Sequence, residues 1–308
     1  MRLSQHLRSL HLSAAQVRQA LKTGKVSYRG VPVADGGRDV DPDEIVYRPN
    51  APRLSPGRDL AVVYRDQDLV VIHKPSGLLS VPARKSGGHV SAVGVVRRVL
   101  GSALPVHRLD EQTSGLMLVA LNQKAQIHLK AQLEEHSVQR RYVAFVQGKP
   151  RREEWRCQSV FIRNRGDGLR GSRPIGSEES GKEAVTHFSV QQQIGFIAVV
   201  QARLETGRTH QVRIHLAEGR HPILGDPLYA RGRPRHGASR LCLHAAELEF
   251  EHPTTKEQMS FNAPLADDMA QLRRALIREM QFVRSARSPI KKSRKGKKNK
   301  RKRASGRK

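Results

Sequence analysis

The 308-residue sequence has no apolar run near the ~20 residues that cross a bilayer, so no membrane association is expected. Its first residues, MRLSQHLRSLHLSAAQ, lack the apolar core of a secretory signal, and a cytoplasmic protein is expected. Cysteine is nearly absent. Cys157 and Cys242 lie far apart, each in an apolar, strand-like stretch, so buried free thiols are expected rather than a disulfide or a zinc site. His210, His215 and His221 are near one another in sequence, but no cysteine or carboxylate set completes a ligand shell, and no metal is expected. The glycine-rich GDGLRG at 166–171 reads as a surface loop, and no other stretch suggests a nucleotide cofactor. Internal repeats are missing too.

Acid is also scarce: 28 Asp and Glu face 56 Lys and Arg, a formal net charge of +28. From Arg284 to Lys308 there are 14 cations and no acid, which leaves 42 cations against 28 acids in the rest of the chain. A basic body with a basic tail implies a polyanionic partner, because each cation that neutralises a phosphate releases a condensed counterion. For the tail alone, solubility or nonspecific adhesion explains the charge equally well. Anionic membrane is disfavoured, since no amphipathic helix or lipidation signal accompanies it.

Composition divides the chain into three. Over residues 1–53, Leu3, Leu7 and Leu10, then Ala14, Val17, Ala20 and Leu21, recur at helical spacing. Gly24 stops the second helix, and VSYRGVPV alternates as a strand pair around Arg29 and Gly30. The proline-rich RPNAPRLSPGRD reads as a linker. Residues 54–283 hold strand, turn and strand in AVVYRDQDLVVIHKP, a buried strand at 116–121, and a helix from the Asn122 cap to about His136 with Ala125, Leu129 and Leu133 on one face. Further strands are VQRRYVAFVQG, RCQSVFIR, AVTHFSVQQQ, GFIAVVQARLE and LCLHAAELEF, with short helices after Thr209 and Asp267. Many strands with few intervening helices imply an α+β fold with a mostly antiparallel sheet rather than a doubly wound parallel one. Residues 284–308 are too polar to fold alone and are expected to be a disordered basic tail.

Three segments carry the chemistry. In VHRLDEQTSGLMLVA (106–120), Asp110 sits on a loop that runs into an apolar strand. A lone loop carboxylate beside Arg108 would more often be a turn or capping residue. In VQRRYVAFVQG, alternation puts Arg140, Tyr142 and Ala144 on one face, which suits a tyrosine that stacks on a base, although alone it reads as a half-buried sheet residue. In LETGRTHQVRIHLAEGRHPILGDPLYA (204–230), Thr209 can cap a helix that carries His210 and Arg213 one turn apart.

Together these segments resemble the RluA-type pseudouridine synthases: H-R-L-D-x-x-T-S-G, a strand of V-x-K-x-Y-x-A-x-V-x-G type, T-G-R-T-H-Q-[IV]-R-[VI]-H and G-D-x-x-Y, with HKPSGLL at 73–79 and LHA at 243–245, in the family's order. The likeness covers roughly residues 60–270. The first 53 residues resemble, more weakly, the small RNA-binding module of ribosomal protein S-four type. Two positions depart: Arg140 stands where lysine is usual, and Gly219–Arg220 stand where an apolar residue and then glycine are usual.

The resemblance implies a mixed, mostly antiparallel sheet with flanking helices and a central cleft, and isomerisation of uridine to pseudouridine in structured RNA, with no cofactor and with a monomeric enzyme expected. Asp110 is then the nucleophile or base, by attack at ribose C1′, attack at uracil C6, or removal of a ribose proton. Arg213 pairs with it, Tyr142 stacks on the flipped uracil and assists loss of the C5 proton, and Leu243 packs under the base. Arg108 fills the space the base vacates. His107, Arg140, Arg208 and His210 complete the expected substrate-binding set. Large-subunit ribosomal RNA is the favoured target and transfer RNA the alternative. A noncatalytic RNA-binding or ribosome-assembly protein would not need the Asp110, Tyr142 and Arg213 set, and a hydrolytic N-glycosidase would release free uracil.

Overall fold

The structure is a computed structural model that describes residues 1–10, 12–22, 26–28, 31–32, 37, 39–47, 60–82, 90–177 and 181–287. Gly24, the Arg29–Gly30 turn, the 48–59 linker and most of the basic tail lie outside them. Near the N-terminus, α1 (Leu3–Ser9) and α2 (Ala14–Lys22) accompany the antiparallel strands β1 (Val26–Tyr28), β2 (Val31–Pro32) and β3 (Ile45–Tyr47), in the order β2-β1-β3. Leu3, Leu7, Val17, Ala20, Leu21, Val26 and Val40 form a core of their own. Leu10, expected on the same stripe, falls just past the end of α1 and is 45% exposed.

The rest of the described chain is built on one eleven-stranded sheet. In chain order its elements are β4 (Ala61–Arg65), β5 (Leu69–Lys74), α3 (Ala92–Leu100), β6 (Leu104–Pro105), β7 (Ser114–Ala120), α4 (Gln123–Glu134), β8 (Gln139–Gln147), β9 (Glu154–Ile162), β10 (Gly171–Arg173), β11 (Lys182–Ile194), β12 (Ile197–Leu204), α5 (Gln211–Glu218), β13 (Leu243–Glu251), β14 (Gln258–Asn262) and α6 (Asp267–Arg287). The strand order is β10-β9-β11-β12-β8-β13-β7-β5-β4, with β6 on β7 and β14 on β13. Among the described ladders of this sheet only β7 with β13 is parallel, so the mixed, mostly antiparallel α+β architecture expected from the sequence is the one observed.

Alternation explains the unbroken apolar runs of β5 (residues 69–72) and β7 (residues 116–120). Val70, Ile72, Met117 and Val119 join Ala92, Val93 and Val96 of α3 in one core, while Leu69, Val71, Leu116 and Leu118 join Ala125 and Leu129 of α4 in another. Asn122 caps α4 through its Oδ1, which accepts from the Ala125 N–H at 2.9 Å. The Asp66 turn also forms as expected, with Oδ1 accepting from the N–H groups of Asp68 and Leu69. Cys157 is half-buried rather than buried, and both thiols are free. Helix α6, expected to be short, runs for 21 residues because Met269 and Leu276, with Leu272 and Met280, give it a stripe on the first core. No helix among the described residues is long and apolar enough to cross a membrane.

Two backbone positions fix what surrounds the site. Gly115, at φ 116°, brings β7 against β13 so closely that a Cβ there would lie 2.1 Å from the Ala245 carbonyl oxygen. The Thr-Ser-Gly motif therefore allows the parallel pairing that sets the loop before β7 beside the start of β13. After α5, Arg220 adopts φ 67° at the position where glycine is usual, and its N–H bonds the Ala217 carbonyl at 3.0 Å. The turn keeps a glycine-type backbone although the side chain is arginine, at a cost of about 1 kcal/mol. Arg220→Gly should therefore stabilise the fold by at most roughly 0.5 kcal/mol after the added freedom of the unfolded chain is deducted. A higher urea midpoint at unchanged slope is the expected reading, and a lower midpoint would show the turn to be unstrained.

Candidate active site

The loop that carries Asp110 is held from below by the HKPSGLL segment. Lys74 is wholly buried, and its ammonium donates to the carbonyls of Pro75 (2.9 Å), Leu78 (2.7 Å) and Glu111 (3.0 Å). Burial pushes its pKa down to about 7 against the opposing pull of Asp110 and Glu111. The Ser80 hydroxyl donates to the Leu109 carbonyl at 2.7 Å and accepts the Leu109 N–H at 2.9 Å. Ser76 donates to the Gln112 carbonyl, and the Gly77 N–H to that of Glu111. The backbone on both sides of Asp110 is thus fixed by hydrogen bonds to one short segment.

The opposite wall comes from the TGRTHQ segment and α5. Thr209 does not cap α5. His210 takes the N-cap position at φ 61° with no side-chain cap bond. The Gln211 side chain organises the turn instead, its Oε1 accepting from the Arg208 N–H and the Thr206 hydroxyl while its Nε2 donates to the Val185 carbonyl. This left-handed His210 places its ring towards Asp110, and Arg213 follows within the first turn of α5.

Arg213 joins two carboxylates. Its Nε and Nη2 make a bidentate fork to Asp226, both at 2.8 Å, and its Nη1 donates to Asp110 Oδ2 at 3.1 Å. The fork expected from the sequence is therefore spent on Asp226, and Asp110 receives a single bond. Asp226 is the Asp of the G-D-x-x-Y motif, and its Oδ1 also accepts the N–H groups of Leu228 and Tyr229. Burial opposes the Asp226 charge, but Arg213 and those two amides outweigh it, and its pKa is lowered. Burial likewise opposes the charge on Arg213, yet both carboxylates raise its pKa. The Tyr229 ring lies 5.1 Å from the guanidinium, and its hydroxyl pairs with His210 Nδ1 at 2.9 Å. His210 Nε2 is 3.9 Å from Asp110 Oδ2.

All nine residues singled out in the sequence line one cleft of about 540 Å³: His107, Arg108, Asp110, Arg140, Tyr142, Arg208, His210, Arg213 and Leu243. Their exposure differs. Tyr142 and Leu243 are buried in its floor, Asp110 is partly exposed, and Arg108 is exposed. Burial raises the Tyr142 pKa. His107 accepts the Leu118 N–H at Nε2, which leaves its enclosed Nδ1 without a partner, and burial with the nearby Arg140 pushes its pKa down to about 3. Arg140 is buried, donates to the Glu205 carbonyl at 3.3 Å, and lies against Gly207, where a Cβ would fall 2.7 Å from its Nη1. Arg208 is tied to the Glu183 carbonyl. The three nearby histidines diverge: His215 bonds Thr186 and Ser159, His221 bonds the Gln147 carbonyl, and His210 bonds Tyr229. Among the residues that the sequence reading passed over, Lys74, Ser80 and Asp226 matter most. The HKPSGLL and G-D-x-x-Y matches signalled Lys74 and Asp226, while Ser80 falls one residue past the first of them.

Residues 68–218 match the family model for RNA pseudouridylate synthase. Ribosomal large subunit pseudouridine synthase D of Zymomonas mobilis is 37% identical over 71% of this chain and 73% of its own length. A dual-specificity RNA pseudouridine synthase RluA of Pasteurella multocida is 39% identical over 67% of this chain and 94% of its own. Among solved structures, human RNA pseudouridylate synthase domain containing 1 aligns with a TM-score of 0.55 at 25% identity over 71% of this chain and 94% of its own. The chain belongs to the RluA-type RNA pseudouridine synthases, and it is an enzyme that isomerises uridine in RNA.

Because the Arg213–Asp226 pair is buried on both sides, Asp226→Asn should destabilise the fold by about 3 kcal/mol and lower turnover as Arg213 shifts. The sign of the pH effect follows from the depressed Asp226 pKa. Its contribution is present above the ordinary carboxylate value of 3.8 and is lost as the pH falls below it. Asp226→Asn should therefore flatten the acid limb of a stability–pH curve, and an unchanged limb would assign that limb to other groups.

Proposed function

We propose that Asp110 is the catalytic carboxylate, and that the enzyme acts on structured RNA with large-subunit ribosomal RNA as its target. The observation that carries this reading is the single bond from Arg213 to Asp110. It orients one carboxylate oxygen and leaves Oδ1 without a hydrogen-bond partner among the described residues, in the cleft that Tyr142 and Leu243 also line. In the reaction the bond from ribose C1′ to uracil N1 breaks, a bond from C1′ to C5 forms, and the C5 proton is lost while N1 gains one. Asp110 acts at the sugar or base, Tyr142 stacks on the flipped uracil and assists loss of the C5 proton, and Leu243 packs beneath the ring. Arg108, exposed at the cleft, takes the place of the extruded base. His107, Arg140, Arg208 and His210 shape the walls.

The ribosomal target is supported by the name of the 37% identical relative and by the charge of the chain. A relative named for dual specificity is a reason to test transfer RNA beside it. Residues 1–53 act as an RNA-positioning module, residues 54–283 as the catalytic domain, and the tail from Arg284 as a phosphate-binding extension.

Asp110→Asn should abolish pseudouridine formation while RNA binding and melting temperature stay near wild type. Appreciable turnover in that variant would move the chemistry to another group. Product analysis should find pseudouridine and no free uracil, which separates isomerisation from glycosidic hydrolysis. Pseudouridine mapping of total RNA with and without the protein identifies the nucleotide. A tail deletion should weaken RNA binding and flatten its salt dependence while the modified nucleotide stays the same. If that deletion matched the intact chain at every salt concentration, the tail would have no part in RNA capture.

A further inference from the structure

We propose that the β9–β10 hairpin tip, residues 163–170, is an RNA-backbone contact on the His210 side of the cleft, with Arg163 and Arg170 binding phosphates beside the target nucleotide. This rests on the pseudouridine synthase reading and adds to it a surface that the catalytic set does not include.

Place is the first support. The Arg165 guanidinium lies 5.8 Å from the centroid of the Tyr229 ring, whose hydroxyl bonds His210, and His210 Nε2 is 3.9 Å from Asp110 Oδ2. Arg170 is near enough to His210 to disfavour its protonation, after the larger effect of burial. A strand whose uridine enters the cleft would have its neighbouring phosphates within reach of this rim.

Charge and rigidity are the second. Residues 163–173 carry four arginines and one acid, Asp167, which is engaged by Arg165 through Nε at 3.1 Å and Nη2 at 2.8 Å. Arg163 and Arg170 are exposed and have no ion-pair partner among the described residues. The glycines of GDGLRG happen to have the spacing of a dinucleotide-binding turn, but they join two antiparallel strands and no helix follows. Asn164 Oδ1 accepts the N–H groups of Gly166 and Gly168, both at 2.9 Å, and the Arg165 N–H bonds the Leu169 carbonyl at 2.8 Å. At its base the Ser172 N–H donates to Glu218 of α5 at 2.9 Å, which ties the hairpin to the helix that carries Arg213. A preordered tip loses little entropy on binding, and exposed, unpaired guanidinium groups suit phosphate.

The test is the full-length R163Q/R170Q double variant, compared with wild type, with R163K/R170K, and with K124Q/K256Q as a matched loss of two exposed charges elsewhere on the surface. Two readings are taken across a salt series. One is turnover on deproteinised large-subunit ribosomal RNA, and the other is equilibrium binding of a fluorescein-labelled RNA stem–loop with an unpaired uridine. The double variant should raise KM and Kd about tenfold at low salt, converge with wild type at high salt, and lose about one to two units of salt slope. Turnover at saturating RNA should hold near wild type, and the lysine variant should recover most of the affinity. Unchanged KM, Kd and salt slope would overturn the proposal, as would a loss equal to that of K124Q/K256Q or a fall in saturated turnover at unchanged affinity. Failure of the enzymatic reading is distinguishable, because wild type would then form no pseudouridine while the binding series still reports on the hairpin.

Discussion

One buried guanidinium stands between two carboxylates, and the site is arranged by how Arg213 divides itself. Asp226 takes the rigid fork and is itself fixed by two backbone amides, so the arginine is anchored before Asp110 is considered. What remains is one N–H directed at Asp110 Oδ2. Had the fork gone to Asp110, both its oxygens would have been engaged and neither would be free to approach a substrate atom. A second acid is thus the means by which the first is oriented but left half-unpaired. Arg213→Lys would disturb both bonds at once, since an ammonium cannot hold two directions with the same planar geometry.

The two sides of this arrangement are far apart in the chain, and the sheet unites them. Asp110 precedes β7, Leu243 begins β13, and Gly115 lets the two strands pair in parallel by removing a side chain that would strike the Ala245 backbone. The Thr-Ser-Gly and Leu-His-Ala motifs are therefore two halves of one contact. HKPSGLL serves the same frame from the other neighbour, β5, whose Lys74 end and following loop bind the carbonyls around Asp110. A lysine with three carbonyl acceptors is a fixed strut, and its burial is tolerated because each N–H has a partner.

Much of this was legible in the sequence because the motifs are local and the strands alternate. The nine expected site residues line a single cleft, and α4 starts at its predicted cap. What was not legible depended on contacts distant in sequence or on unusual backbone. The α3 segment, AVGVVRRVL, is rich in β-branched valine and has no helical propensity to announce it, yet Ser91 caps it and the core beneath β5 and β7 fixes it. Thr209 looked like a cap because threonine is a good one, whereas the left-handed backbone at His210 moves the helix start one residue on. The fork to Asp226 spans 13 residues and cannot be inferred from spacing alone.

The distribution of unmet hydrogen bonds shows where the fold is under functional constraint. Of five enclosed side-chain polar atoms without a partner among the described residues, three belong to residues that line the cleft: His107 Nδ1, Thr113 Oγ1 and Arg140 Nε. Each such group costs about 1–3 kcal/mol, a large fraction of an ordinary folding free energy. Elsewhere the same chain satisfies its buried polar groups closely, as Gln211, Lys74 and Ser80 do within a few residues of these atoms. A sequence selected for stability alone would replace an underused buried arginine with an apolar residue of similar volume. Keeping Arg140 and His107 beside Tyr142 makes sense if their charge and shape serve the bound nucleotide, so the local deficit marks the boundary between the part of the frame that holds the fold and the part that faces the substrate.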